Sequence, residues 1–580
     1  NVAGMTARPG RTVVRLLALV LGLVTGAGVV TACSGESRPP TIDYVVDAGL
    51  TTYNANTVTG NSDGALMAVT RVLPGFSLLG NNGQVMPDRD VGTVTAISQA
   101  PLTLRYVFSP QAVFSDGTPM DCDDLLLAWA AMSGRFPGFT PATTAGYRDV
   151  RNVDCRAGAK TATVVFAAGR VYRDWLSLFG AGTLLPAHVV ARKAGVADVV
   201  AAIRGGNPAR IGKLAKAWNT GFTFPNGELE PADFPASGPF RISAADAAEG
   251  LVLVPNDKWW GDAPAATRIA IRGARHDLAA LTSGDFDVAD VADGIVDGEI
   301  SNSATSKAPA SAGPVATTSL SIDELVLSQR GVFSDVRVRQ AFALCVPRPA
   351  IATQFGAGSP VWNLRTQVPG DSLAAQLNGQ VGLRYARPDI IGARELLGQA
   401  AASGAQGVSS SAGTGFRAKV RIGYRTPHAR DQALVAAITG SCRKAGIEVT
   451  DVGSDDLAPT ALGKRADALL ISSGSGFAAT GATSPIRDSY RLRAGDPLNL
   501  AGADDPQVSQ AVDTLSVVTS ATGQLDAVRT IETGAWSSMM SIPLVVTPRV
   551  YRSGGRVAHV VPGHGRNGTG WNMDRWSLTE

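Results

Sequence analysis

The chain has 580 residues, 45% of them apolar, and its 52 basic and 49 acidic side chains nearly cancel. That length exceeds one compact core and predicts two or three domains. The charge balance excludes nucleic acid, which demands a basic face, and leaves no net field to steer a strongly charged solute.

The first predicted element is an export signal over residues 1–32. Arg8, Arg11 and Arg15 precede "LLALVLGLVTGAGVV" (16–30), which carries no charge. A basic start, a short apolar core and small residues at the end have the layout of a secretory signal. The core is shorter than the roughly 20 residues of a spanning helix. Val30-Thr31-Ala32-Cys33 resembles the bacterial lipobox, with valine where leucine is usual. Cys33 is therefore expected to be lipidated and to become the first mature residue. The alternative is an ordinary cleavage site with an incidental cysteine. Residues 33–38 read as a tether. Three of the 52 basic residues and none of the acids lie in 1–32, which leaves 49 of each sign.

In chain order, "TIDYVVDAG" (41–49) predicts a strand and "GALMAVTRVL" (64–73) a helix capped by Ser62 or Asp63. "PLTLRYVF" (101–108) alternates as a strand. "DDLLLAWAAM" (123–132) predicts a helix with Asp123 as cap and Leu125, Trp129 and Met132 on one face. "KTATVVFAA" (160–168) is a strand, and 241–257 reads as two strands around Glu249-Gly250. "SDVRVRQAFALC" (334–345) predicts a helix capped by Ser334, with Val338, Phe342 and Cys345 inward and Arg337 and Arg339 outward. "DQALVAAITGSCRKAG" (431–446) predicts a helix with Leu434, Ile438 and Cys442 on one face and Gly446 as its stop, and "IEVTDV" (447–452) a strand. The Gly/Ser/Ala-rich stretches 301–313 and 403–415 read as surface loops.

Cys122, Cys155, Cys345 and Cys442 remain after Cys33. An even number in an exported chain suggests disulfides. Of the three pairings, Cys122–Cys155 and Cys345–Cys442 are favoured, because each pair lies within one predicted domain. The second pair also sits on the buried sides of two helices. No CxxC occurs and the five histidines are scattered, so neither a metal nor a cofactor is expected.

Gly60-Asn61-Ser62-Asp63-Gly64 fits the G-x-S-x-G pattern of hydrolases, with His276 or His428 downstream by order alone. In a chain with 65 glycines this is weak, and a helix entry capped by Ser62 or Asp63 competes with it. "DCDD" (121–124) is better explained by capping than by a cation.

Six segments carry more. They are "LTLRYVFSPQAVFSDGTPMDCDDLLLAW" (102–129), "PASGPFRIS…LVLVPNDKWWGDAP" (235–264), "LTSGDFDVADV" (281–291), "VFSDVRVRQAFALCVPR" (332–348), "RYARPDIIGARELLGQA" (384–400) and "CRKAGIEVTDV" (442–452). In this order and spacing the chain resembles the family 5 extracellular solute-binding proteins, the dipeptide- and oligopeptide-binding components of ABC importers. Its alanine-rich, lipidated character resembles actinobacterial, mycobacterial members. The motifs themselves read as structural: Asp116-Gly117 and Thr118-Pro119 suit a tight turn, and Trp259 and Trp260 supply buried area.

The resemblance implies an α/β, two-lobed periplasmic-binding-protein-like fold of the type II, large peptide-binding class. Lobe I would comprise 39–78, 226–315 and 541–580, with a subdomain inserted at 79–225, and lobe II would comprise 316–540. The implied protein is a monomer and no enzyme. It captures a peptide or peptide-like solute between the lobes and presents it to ABC importer permease subunits from the extracytoplasmic side of the cell membrane.

The chain departs from the family at one place. Peptide binders carry a tryptophan and then an aspartate, which pairs with the peptide ammonium, after the strand equivalent to "RADALLIS" (465–472). Here the tryptophan falls on or near Ser473 and the aspartate on or near Gly476. Ser473, Gly474, Ser475, Gly476 and Phe477 are the candidate ligand residues, and Trp362 of "SPVWNL" is a candidate stacking surface, with burial in the core as its alternative. Asp467 or Asp488 are acids that could replace the anchor. Without one, a neutral, hydroxyl-rich or glycolipid ligand is the second reading. A secreted serine hydrolase through Ser62 is the third. If Cys33 is the anchor, Cys33→Ala moves the protein from the washed membrane fraction to the soluble fraction on cell fractionation; retention in the membrane contradicts lipidation.

Overall fold

Two strands of 13 residues each, Val315–Leu327 and Ser541–Ser553, run antiparallel through the middle of an 11-stranded sheet. The computed structural model describes residues 40–579 apart from 226–227, 247–249, 274–285, 293–314, 412–414, 473–475 and 477–484. The export signal, Cys33, His276 and the 301–313 stretch lie outside those residues.

The central pair joins two half-sheets. On one side Ser541–Ser553 pairs with Val288–Val291, followed by Ile42–Val46, Ile269–Gly273, Gly250–Pro255 and Phe240–Asp246. On the other side Val315–Leu327 pairs with Ala468–Ile471, followed by Gly415–Gly423, which also pairs with Ile447–Asp451 and Val408–Ser411. The central register slips between Thr318 and Ile322. There the Ser319 hydroxyl donates to the Thr547 carbonyl at 2.8 Å, replacing a lost ladder bond. Buried strands such as Ala468–Ile471 read as apolar runs, because both their faces are covered.

A second, four-stranded antiparallel sheet has the order Gly92–Gln99, Leu102–Phe108, Thr161–Phe166, Val150–Asp154. The Cys122–Met132 helix belongs to this region, with ten of its 11 residues buried. Edge-to-face contacts of Phe76 with Tyr106 and Phe108, and of Phe179 with Tyr106 and Tyr147, fill the interior. Cys122 is joined to Cys155, and Cys345 on the Val336–Cys345 helix to Cys442 on Ala429–Cys442.

Several local expectations are corrected. The 122–132 helix is capped by Asp121 in a capping box with Asp124, not by Asp123. The 336–345 helix is capped by Asp335, not Ser334. The polar stretch 403–415 contains the Val408–Ser411 strand, which forms because an edge strand is held by backbone bonds that polar side chains do not oppose. Arg339 points inward rather than outward: it is 5% exposed and gives its N–H groups to the carbonyls of Phe333 and Ser538. Trp259 and Trp260 are only half-buried, packed on each other with ring centroids 4.5 Å apart.

A buried arginine ties the Ala521–Ser538 helix to the start of the Ser541–Ser553 strand, where Arg365 donates to the Ser541 hydroxyl at 2.9 Å. Arg365 pairs with Glu532 at 3.2 Å, both side chains 0% exposed. Glu532 Oε1 also accepts the backbone N–H groups of Arg365 and Thr366 and the Thr366 hydroxyl. The Arg365 guanidinium lies 4.4 Å from the Trp536 ring centroid. Removing one partner of such a pair strands a buried charge. Glu532→Gln therefore lowers unfolding stability by about 3–5 kcal/mol, read from urea denaturation; a loss below about 1 kcal/mol, the worth of an exposed pair, contradicts this account.

Candidate functional site

The central strands carry charges where an apolar run would be expected, and each charge is held by one half of the sheet. Arg549 donates from both terminal nitrogens to Asp47 Oδ2, at 3.1 and 2.9 Å, and its Nε lies 2.8 Å from Asp290 Oδ1. Asp47 follows the Ile42–Val46 strand and Asp290 sits in Val288–Val291. Burial pushes the Asp47 carboxyl up to about 7, against the pull of Arg549. Burial opposes the charge of Arg549, but Asp290 and Asp47 raise it further above its usual range. On the other strand Asp323 pairs with Arg430 and accepts the Thr547 hydroxyl at 2.8 Å. Its neighbour Glu324 pairs with Arg491, which also donates to the Arg365 carbonyl.

The Glu324–Arg491 pair borders a cleft. Val58, Asn61 and Ala142 line it together with Glu324, Ile471 and Arg491, around roughly 550 Å³ of empty space that is partly open to solvent. Hydrogen bonds span it farther out. The Thr144 backbone N–H and hydroxyl both donate to Asp496 Oδ2, at 3.0 and 2.6 Å. Arg170, paired with Asp149, donates to the Ser516 hydroxyl and the Asp513 carbonyl. The Arg173 backbone N–H donates to the Ser516 carbonyl at 2.8 Å.

Two glycines close the cleft where side chains would hold it open. Gly476 (φ +77°) is buried against Ala48 and Gly49 (φ +93°). A Cβ on Gly49 would lie 2.7 Å from the Gly476 carbonyl oxygen, and one on Gly476 3.2 Å from Ala48 Cβ. Both the positive φ and the close approach require glycine. The Gly476 carbonyl accepts from Arg425 Nη1 at 3.0 Å.

Of the other sequence-derived candidates, Ser473, Gly474, Ser475 and Phe477 lie outside the described residues. Trp362 is 6% exposed, with its indole N–H donated to the Gln367 carbonyl at 3.0 Å and its own carbonyl accepting from buried Arg348. It is packed in the core and presents no stacking face to the cleft. Burial and the charge of Arg365 push Arg348 down to about 9. Asp467 is engaged by Arg421 at 2.8 Å. Asp488 is buried beside Arg487, 3.5 Å away, and burial pushes it up to about 6. Ser62 caps the Asp63–Val69 helix and donates to the Gly49 carbonyl at 2.8 Å. Cys122, Asp123 and Cys155 cluster as metal ligands do, but both sulfurs are spent in the disulfide.

A second cavity, of about 890 Å³, lies between the Asp63–Val69 helix, the Ser77–Leu79 strand and the segment around Tyr147 and Leu178, with Arg487 and Arg566 in its lining. Arg566 is fixed by Asp63 Oδ1 at 2.8 Å and Asn61 Oδ1 at 2.7 Å. Sequence reading missed Asp47, Arg487, Arg549 and Arg566. A charge inside an apolar run, as in "SIPLVVTPRVYRS", was the available signal for Arg549.

The description "Bacterial extracellular solute-binding proteins, family 5 Middle" fits residues 94–476. The uncharacterized lipoprotein Rv2585c of Mycobacterium tuberculosis is 37% identical over 567 residues, covering 96% of this chain and 97% of that protein. Two shorter matches in the same species, each 29% identical, are the oligopeptide-binding protein OppA and the probable monoacyl phosphatidylinositol tetramannoside-binding protein LpqW. OppA matches over 215 residues, 37% of this chain and 31% of its own length. LpqW matches over 195 residues, 33% and 25%. The oligopeptide-binding protein AppA of Bacillus subtilis, solved with a nonapeptide, shares the two-lobed fold with a TM-score of 0.71 at 14% identity, over 93% of this chain and all of that one. With one match over the main body and another along nearly the whole length, the chain belongs to family 5 of the bacterial extracellular solute-binding proteins.

Proposed function

We propose that this protein is a lipid-anchored receptor on the extracytoplasmic face of the cell membrane that closes on a solute and presents it to an ABC importer permease. The lobes in this reading are 39–78, 226–315 and 541–580 with the insert 79–225, against 316–540. The central strands then act as the hinge. The solute has no free ammonium as its principal anchor.

The seat of Gly476 carries that last point. Family resemblance places the ammonium-binding aspartate there, and in this chain the position is a buried glycine lying on Ala48 and Gly49. An ammonium entering would lose its water and meet no carboxylate, at a cost of several kcal/mol. A loss of about 1.4 kcal/mol already weakens binding tenfold. The same observation supports the second reading, a glycolipid-related binding or regulatory lipoprotein, and so does the partial similarity to LpqW.

Mass spectrometry of the solute released from denatured protein separates the two readings. Titration with a peptide pool, and with the same pool acetylated at its amino ends, tests the anchor: comparable affinity is expected. A hundredfold preference for free amino ends would mean that another acid holds the ammonium, and Asp488 would be the first to replace.

A further inference from the structure

The second cavity, whose roughly 890 Å³ of empty space is partly open to solvent, has a lining divided by chemistry. Leu66, Leu78, Leu79, Val85, Met132 and Leu178 are among its apolar residues, and Tyr147 and Tyr172 add aromatic faces. Among the described residues that line it, only Arg487 and Arg566 are charged, and both are positive. They lie close together: burial and the charge of Arg566 push Arg487 down to about 10. The acids that answer them, Asp63, Asp488 and Asp496, act on Arg487 but do not line the cavity. Arg566 is oriented by Asp63 and Asn61 through two of its donors, Nε and Nη2. A guanidinium has five N–H donors in a planar fork that matches carboxylate and phosphate oxygens.

We infer that this cavity binds a single-chain amphiphile, its aliphatic chain among Leu66, Leu78, Met132 and Leu178 and its anionic head, carboxylate or phosphate, at Arg487 and Arg566. Each buried CH₂ of such a chain contributes about 0.8 kcal/mol. The two guanidiniums set the sign of the head. Arg487 follows Gly476 in the chain and Arg566 lies near its C-terminal end, so the head is held by segments distant in sequence. This inference names a ligand class for the receptor proposed above and rests on that reading.

The test uses the full chain carrying Cys33→Ala, which needs no detergent. A dansyl-labelled undecanoate reports occupancy by its rise in emission, and laurate, dodecyl phosphate and dodecanol compete for it. Laurate or dodecyl phosphate is expected to displace the reporter roughly tenfold or more better than dodecanol, and whichever of the two is stronger identifies the head. Arg487→Gln removes that preference while Arg487→Lys retains part of it; both variants are assayed below their own unfolding midpoints, which fall because Asp488 loses its buried partner. Leu66→Trp, at a half-buried position, blocks all three competitors. Equal displacement by dodecanol and laurate overturns the inference, as does a preference that survives Arg487→Gln. Failure of the reporter to bind, while denatured protein releases some other solute, overturns this ligand class and leaves the receptor reading standing. Protein that binds no competitor and releases nothing contradicts both.

Discussion

Everything in this molecule hangs on two strands whose buried charges are gripped from opposite sides. Arg549 answers to Asp47 and Asp290, while Asp323 and Glu324 answer to Arg430 and Arg491. A continuous apolar pair would be at least as stable, because desolvating an ion pair offsets most of its Coulomb gain. It would not fix which partner each strand keeps. Charges with several hydrogen bonds each do fix it, since a slip of one residue would strand Arg549 away from both acids. Slack is confined to Ser319–Ser321, where the ladder breaks and hydroxyls fill in. The irregularity thus lies between two rigid clamps, the place where a hinge can bend without unpairing either half.

The contacts that close the cleft are of a different kind. Thr144 with Asp496, Arg170 with Ser516, and backbone against backbone at Gly49 and Gly476 are hydrogen bonds and van der Waals surface rather than multiply bonded ion clusters. Each such bond contributes about 1 kcal/mol net. A closed form held by a few of them is readily exchanged for an open one, and a solute that touches both sides shifts the balance by its differential affinity. In the proposed receptor the sheet halves would stay intact while the cleft opened, because the ion clusters are multiply bonded and the contacts across the cleft are a few hydrogen bonds.

How much of this was legible in the sequence depends on the range of the interaction. Periodicity found the 122–132, 336–345 and 429–442 helices and their inward faces, since one helix face is a local property. Caps slipped by one or two residues where Asp and Ser crowd together, because several side chains there can accept the same N–H groups. Arg339 read as an outward residue, yet it buries its guanidinium by spending donors on carbonyls that no local pattern reveals; buried Arg348 does the same. Trp362 read either as a stacking face or as a core residue, and only the fold, which seats its carbonyl on buried Arg348, decides for the core. Arg549 and Asp47 lie 502 residues apart, and only the fold brings them together. The motif segments worked at a higher level, because they report the whole topology at once.

The sign of charge around the cleft decides what the receptor can select. Recognition of a free peptide amino end needs a fixed negative group in a dry site. At the position where family resemblance expects one, this chain offers a glycine carbonyl already engaged by Arg425. Asp488 and Asp63, the nearby acids, are turned to arginines and are made harder to ionise by burial. The charged groups lining the larger cavity are guanidiniums. Selectivity is a difference between affinities, and a like charge in a desolvated site works against the wrong ligand as effectively as a new contact works for the right one. In the proposed receptor, a glycine where the family resemblance implies a carboxylate and two arginines lining the neighbouring space would disfavour ammonium and favour an anion, without altering a strand of the central sheet.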